Sequence, residues 1–297
     1  MLKLTGHGVA LMTPFDSNGG IDFEALRCHI ERLISGGVDY LVILGTTAET
    51  ATLSHSEKQR IQSFVVDTVS GRLPLVIGIG GNNTQAVVDE IQATNLDPFE
   101  AILSICPYYN RPNQEGLYRH FDYLAEQSQK PIILYNVPTR TGCNLHPDTV
   151  ARLVEKHDHI VAIKEASGDM IQVQDMIRKT PYSFQVISGD DALAVPVILA
   201  GGVGVISVFG NLMPKCFSEL VDLALDKQAT AAYSESYALL DLIGLLFEEG
   251  NPCGLKAAMH LKGYCENSLR LPLVSASDKL LEALRNELGV LQAVEDR

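Results

Sequence analysis

The stretch "IVAIKEASG" (residues 160–168) places a lysine, Lys164, at the end of a short apolar run. Such runs, rich in aliphatic and β-branched residues, recur along the chain and are almost continuously hydrophobic. Continuous rather than alternating hydrophobicity is typical of parallel strands that are covered on both faces. The eight runs are "GVALMTP" (8–14), "DYLVILGTT" (39–47), "LPLVIGIGG" (73–81), "EAILSICPYY" (100–109), "KPIILYNVP" (130–138), "HIVAIKEAS" (159–167), "SFQVISGD" (183–190) and "GVGVISVFG" (202–210).

Amphipathic segments with helical periodicity separate these runs. Asp22 stands where the N-cap of the first helix is expected, and Ser54 with Glu57 has the spacing of a capping box. Eight successive strand–helix units predict a closed (β/α)8 TIM barrel. A doubly wound sheet is the alternative, but eight sequential units without an inserted second domain favour closure.

The remaining part of the chain predicts additional helices around residues 214–228, 230–248, 253–262 and 276–290. A closing barrel unit needs only one helix. We therefore predict a catalytic barrel over residues 1–227 and a C-terminal helical region over residues 228–297 that packs on it.

Composition narrows the classes of function. The formal net charge of −13 argues against binding to nucleic acid or to an anionic membrane surface, because both need clustered lysines and arginines. No apolar run reaches the ~18–20 residues of a membrane helix, and the N-terminus does not have the pattern of a signal peptide. These features predict a cytoplasmic protein with a large core.

No cofactor or metal is expected. The six cysteines contain no C-x-x-C pair, and "GIGGNN" (78–83) lacks the spacing of a dinucleotide-binding loop. His157 and His159 stand beside acidic residues, but the sequence indicates no convergent set of three metal ligands.

The chemistry of a TIM barrel is found where the strands end. Alternation puts Lys164 on the same face as Ile160 and Ala162, which predicts that its side chain points into the barrel mouth. Burial favours the neutral amine, and a neutral amine attacks a ketone to form a Schiff base. The alternative is a lysine that reaches solvent or pairs with Glu165.

Other strand ends carry polar side chains of matching chemistry. Tyr135 ends the adjacent fifth strand, so its phenol is expected near Lys164, where it can transfer protons. Arg140 supplies the planar fork that suits a carboxylate. Thr46 and Thr47 offer paired hydroxyls after the second strand, and Tyr109 lies in an aromatic loop after the fourth. Each residue taken singly also has an ordinary explanation. Tyr135 fits a core tyrosine, Arg140 a surface ion pair, and the two threonines a turn. The loop of Tyr109 fits a lid or a subunit contact.

Together the motifs resemble the dihydrodipicolinate synthase / N-acetylneuraminate lyase family of Schiff-base enzymes. The resemblance covers nearly the whole chain and is carried by "YNVPTRTG" (135–142), "CPYYNRPNQEGLYRHF" (106–121), "IVAIKEASGD" (160–169), and "SGDD" (188–191) followed by "GVISV" (204–208). It implies a lyase that condenses pyruvate with L-aspartate 4-semialdehyde to 4-hydroxy-tetrahydrodipicolinate, on the diaminopimelate route to lysine. The alternative is another pyruvate-dependent aldolase of this family, acting on N-acetylneuraminate or a 2-keto-3-deoxy sugar acid.

The resemblance also implies roles for individual residues. Lys164 matches the Schiff-base lysine and Tyr135 the proton-transfer tyrosine, while Thr47 and Tyr109 match the hydroxyl relay. Tyr109 is expected to enter the active site of a neighbouring subunit, which implies a homo-oligomer, most often a dimer of dimers. The substrate-binding residues are expected to be Thr46 and Thr47 for the pyruvate carboxylate, Arg140 for the carboxylate of the second substrate, and Gly189 and Ile206 around the lysine.

Some relatives are inhibited by lysine at a site near the subunit interface. Five positions here are compatible with that site: Thr50, Ala51, His55, Asn82 and Tyr108. However, Lys58 stands where sensitive relatives have histidine, and Ala86 stands where they have glutamate. The added positive charge and the lost carboxylate predict weak inhibition or none. Ala48 is a further departure, since the family usually has glycine after the paired threonines.

Overall fold

The computed structural model describes residues 4–295, with the side chains of residues 4–291. Its eight parallel strands pair in chain order, and the first strand pairs with the last, so the predicted TIM barrel is confirmed. The predicted barrel region includes residues 1–3, and the predicted C-terminal region includes residues 296 and 297; these five residues lie outside the described part of the chain. The strands are β1 (Gly6–Ala10), β2 (Tyr40–Ile43), β3 (Leu75–Gly78), β4 (Ala101–Ile105), β5 (Ile132–Asn136), β6 (Ile160–Glu165), β7 (Gln185–Ser188) and β8 (Gly204–Ser207).

Helices connect the strands and surround the barrel. The predicted caps are present: the side chain of Asp22 accepts a hydrogen bond from Ala25 N, and Ser54 with Glu57 forms a reciprocal capping box. Within residues 4–295, no helix is both long enough and apolar enough to cross a bilayer. The helices are α1 (Phe23–Ser35), α2 (His55–Val69), α3 (Thr84–Ala93), α4 (Gln114–Gln127), α5 (Pro138–Thr141), α6 (Pro147–Lys156), α7 (Met170–Lys179), α8 (Ala194–Leu199), α9 (Pro214–Leu225), α10 (Ala229–Glu248), α11 (Cys253–Leu261) and α12 (Asp278–Glu295).

Aliphatic side chains fill the inside of the barrel, while a second set on the outer face of the strands packs against the helices. Both faces of each strand are therefore buried, which explains the continuous hydrophobic runs in the sequence. The inner set includes Ala10, Val42, Val76, Leu103, Ile133, Ala162, Ile187 and Ile206.

The predicted orientation of Ile160 was wrong. Ile160 belongs to the outer apolar cluster, whereas Ala162 faces the interior. The register between β5 and β6 shifts at this point, since Ile132 pairs with Ile160 but Ile133 pairs with Ala162. The extra residue, Val161, is a bulge that reverses the alternation. From Ala162 onward the alternation holds.

The C-terminal helices pack against the β8 side of the barrel. Phe209 and Phe217, which follow β8, share one apolar cluster with Leu242 and Leu246 of α10 and with Leu255 of α11. Helices α9 to α12 lie close to the four predicted segments. The boundary at residues 227 and 228 stays a prediction.

Candidate active site

Lys164 and Tyr135 lie side by side at the barrel mouth. Their Cα atoms are register partners on β6 and β5, and the Lys164 ammonium nitrogen lies 4.6 Å from the centre of the Tyr135 ring. Only 5% of Lys164 is exposed. The predicted proximity of these two residues is therefore confirmed by the geometry.

The alternative pairing of Lys164 with Glu165 does not occur. Glu165 accepts hydrogen bonds from Asn136 Nδ2 at 3.0 Å, from Gln172 Nε2 at 3.2 Å and from Ser167 N at 2.7 Å. Burial raises the pKa of its carboxyl, and these donors oppose the shift. Among the described residues, no carboxylate lies within ion-pair distance of Lys164.

Lys164 opens into a cavity of about 360 Å³ at the carboxyl ends of the strands. Gly189 packs directly on the lysine stem: a Cβ atom built there would lie 3.1 Å from both Cγ and Cε of Lys164. Ile206 is wholly buried in the inner cluster and is not among the cavity's lining residues. The lining includes Thr46, Thr47, Tyr135, Arg140, Lys164, Gly189 and Asn251.

The paired threonines lie on a tight turn that follows β2. Residues Thr46–Ala48 form a single 3-10 turn, and the flanking Leu44 and Glu49 both have positive φ, of 55° and 52°. Non-glycine residues rarely adopt this conformation, so surrounding contacts have to maintain it. The buried Thr47 hydroxyl accepts a hydrogen bond of 3.0 Å from Asn251 Nδ2.

Asn251 is a site residue that the sequence reasoning missed. Its side chain holds Thr47, and its backbone carbonyl accepts a 3.1 Å hydrogen bond from Arg140 Nη2. Asn251 thus connects the predicted pyruvate-binding turn to the predicted carboxylate-binding arginine. The residue lies just after α10, and the only local signal is an Asn-Pro turn.

The structure does not bring Tyr109 to Lys164 within the chain. Tyr109 is 90% exposed and is not among the residues that line the cavity. Its backbone has φ of 71°, which is unusual for a bulky residue. The strained loop therefore presents the ring outward, and its entry into the active site of a neighbouring subunit stays a prediction.

A second cavity, of about 390 Å³, adjoins the first and shares Thr46, Tyr135, Arg140 and Asn251 with it. Three of the five predicted lysine-site residues line this cavity, namely Thr50, Ala51 and Tyr108, whereas His55 and Asn82 do not. In the same wall, the Lys58 ammonium forms a 3.5 Å ion pair with Glu90. Glu90 is one helical turn after Ala86 on α3.

The structure contradicts the expectation that no three metal-ligating residues converge. Ligand atoms of Asp122, Glu126 and His157 lie within 4.8 Å of one another at the surface. This set of three residues cannot be recognised from the sequence, because two members are on α4 and the third follows α6. The Lys156 ammonium lies 2.5 Å from Asp122 and 3.2 Å from Glu126, so the carboxylates already form ion pairs. The expectation that the chain binds no metal stays a prediction.

The fold and the buried lysine beside a tyrosine define a TIM-barrel protein of the kind that forms Schiff bases. The sequence matches the dihydrodipicolinate synthetase family over residues 3–290. The chain belongs to this family, as the sequence motifs predicted.

Comparison with individual proteins agrees with this assignment. The chain is 49% identical to 4-hydroxy-tetrahydrodipicolinate synthase of Flavobacterium psychrophilum over 284 residues, 96% of this chain and 97% of the relative. It is 46% identical to the enzyme of the same name from Parabacteroides distasonis over 290 residues, 98% of each chain. The crystal structure of dihydrodipicolinate synthase from Acinetobacter baumannii complexed with pyruvate superposes with a TM-score of 0.94 at 37% identity, covering 97% of this chain and 98% of that one. These names match the predicted activity and not that of a sugar-acid lyase.

Proposed function

We propose that this chain condenses pyruvate with L-aspartate 4-semialdehyde to 4-hydroxy-tetrahydrodipicolinate through a Schiff base at Lys164. The observation that carries the proposal is the buried Lys164 beside Tyr135, in a cavity that also holds Arg140. An amine, a proton donor and a carboxylate clamp are the groups that this reaction requires.

In the first half of the reaction, the Lys164 amine attacks the keto carbon of pyruvate, and loss of water gives an imine. Tyr135, whose ring centre lies 4.6 Å from the Lys164 nitrogen, transfers protons during this step. Thr46 and Thr47 hold the pyruvate carboxylate, and the Thr47 hydroxyl belongs to the proton relay. Gly189 leaves space for the lysine stem, and Ile206 belongs to the inner apolar cluster that also contains Tyr135.

In the second half, loss of a methyl proton converts the imine into an enamine, whose carbon attacks the aldehyde of the second substrate. Arg140 binds the carboxylate of that substrate, and its own position is fixed by the carbonyl of Asn251. The substrate's amine then displaces Lys164 by transimination, which closes the ring. One water is released overall, and the lysine is regenerated.

The exposed Tyr109 supports a homo-oligomeric enzyme, with a dimer of dimers as the expected assembly. A phenol held outward by a strained backbone is suited to complete the relay in a neighbouring subunit. The biosynthetic reaction and the strongly negative net charge are consistent with a cytoplasmic location.

The test is pyruvate consumption by the purified protein with L-aspartate 4-semialdehyde, compared with a reaction that lacks the aldehyde. Lys164→Ala is expected to abolish turnover and the mass increase that borohydride produces when pyruvate is present, because it removes the nucleophile. Lys215→Ala, at an exposed lysine on α9, is the control and should keep full activity. Aldehyde-independent turnover, or an adduct that persists in Lys164→Ala, would contradict the proposal.

A further inference from the structure

A fully buried ion pair lies directly behind the threonine turn. The Lys256 ammonium of α11 is 2.5 Å from Glu49 Oε1, and neither side chain is exposed at all. Lys256 also donates a 2.9 Å hydrogen bond to the carbonyl of Ser268 and lies 4.0 Å from the centre of the Phe15 ring. Because desolvation offsets most of the attraction within such a pair, stability alone is a weak explanation for it.

The carboxylate of Glu49 is held at both oxygens. Oε1 faces Lys256, and Oε2 accepts a 3.0 Å hydrogen bond from the backbone N–H of Arg270. The backbone of Glu49 is left-handed, and its N–H donates to the carbonyl of Thr46 at 3.0 Å. An unfavourable backbone conformation persists only where its surroundings fix it, and here the buried side chain provides that anchor.

The same C-terminal segment therefore reaches the turn at two points. Asn251 bonds the Thr47 hydroxyl, and Lys256, five residues later, binds Glu49 two residues after Thr47. We propose that Glu49 and Lys256 are positioning residues, whose buried ion pair fixes the Thr46–Thr47 turn against the cavity at Lys164. This inference rests on the proposed function, in which the two threonines hold pyruvate.

The double variant Glu49→Gln/Lys256→Met is the main test, because it removes both charges and leaves neither one buried without a partner. The oxygen of glutamine can still accept from the N–H of Arg270, but nothing replaces the contact with Lys256. In the folded double variant we expect the KM for pyruvate to rise about tenfold or more, since small misplacements of binding groups are costly. The KM for the aldehyde, which Arg140 binds, should stay within about twofold of the parent value.

Glu49→Asp is a second variant that keeps the charge for Lys256. Its shorter side chain cannot span both partners without moving the turn, so the pyruvate KM should rise in the same direction. Glu31→Gln is the control. Glu31 of α1 forms an exposed ion pair with Arg72 at 2.6 Å and contacts neither the turn nor Arg270, so its loss should leave both KM values unchanged.

The outcomes separate the two proposals. If the parent protein forms no borohydride adduct with pyruvate, the proposed function fails and this inference fails with it. If the parent protein forms the adduct but the folded double variant and Glu49→Asp both keep the parental pyruvate KM, only the positioning role is overturned. A selective rise in the pyruvate KM that Glu31→Gln does not share supports it.

Discussion

Replacing Gly189 with alanine tests whether the position of Lys164 depends on its contact with the end of β7. A Cβ atom at residue 189 would lie 3.1 Å from Cγ and Cε of Lys164 and 2.7 Å from the methyl group of Ala166. Carbon atoms in contact rest about 3.5–4.0 Å apart. The methyl group of Ala166 is fixed to its backbone, so that contact requires a shift of the backbone. The contacts with Lys164 require the lysine stem to move by about 0.4 Å or more.

This displacement should affect catalysis more than folding. Overpacking of this kind costs about 1–3 kcal/mol of unfolding free energy. Misplacement of a reacting group by 1 Å lowers rates about 100-fold, so for a shift of about 0.4 Å we expect a loss of kcat/KM for pyruvate of roughly 5- to 10-fold in Gly189→Ala. Steady-state kinetics, the rate of adduct formation with borohydride and a thermal melt measure the two effects separately.

Gly244→Ala is the control, because a Cβ atom there would meet no atom within 4 Å and Gly244, on α10, is not among the residues that line either cavity. It should keep kcat/KM within about twofold of the parent value. A folded Gly189→Ala protein that is as active as Gly244→Ala would refute the claim that glycine at residue 189 determines the position of the lysine.

Two further predictions concern stability and regulation. Burial raises the pKa of Asp191 from its ordinary 3.8 to about 6, so the stability contributed by its protonated form is complete below 3.8 and is lost as the pH rises through 6. Asparagine cannot ionise, so the unfolding free energy of Asp191→Asn relative to that of the parent protein should rise by up to about 3 kcal/mol between pH 4 and pH 7, as measured by urea unfolding. If the difference in unfolding free energy between the two proteins is the same at both pH values, this prediction is wrong. Lysine should inhibit the enzyme weakly or not at all, because the Lys58 ammonium already pairs with Glu90 in the wall of the second cavity, and half-inhibition well below roughly 1 mM would contradict this.

The barrel could be predicted from the sequence because each of its strands and helices is encoded by a pattern within a short segment. Each strand is a short apolar run buried on both faces, and each helix has its own periodicity and caps, as at Asp22 and Ser54. The predicted orientation of Ile160 was wrong because a bulge inserts one residue into the pairing of β5 with β6. No residue type in "HIVAI" (159–163) indicates this bulge.

The proximity of Lys164 and Tyr135 was also predictable, since both lie on adjacent parallel strands whose register follows from the fold. Asn251 and Lys256 were not predictable in the same way. They meet Thr47 and Glu49 from about 200 residues further along the chain, through side-chain contacts that no local periodicity encodes. Motif resemblance identified the threonines but not the groups that hold them.

The strained turn after β2 gives a physical reason why the helices that follow the barrel matter at its mouth. Strand ladders fix backbone conformation only as far as the strands extend, and the threonine turn projects beyond β2. The positive φ angle of Glu49 needs contacts from elsewhere, and Lys256 binds its side chain while Asn251 bonds Thr47 in the same turn. A barrel that ended with its eighth helix would have the same threonines but would lack the contacts from Asn251 and Lys256. The C-terminal region therefore contributes to the geometry of the active site as well as to the apolar core.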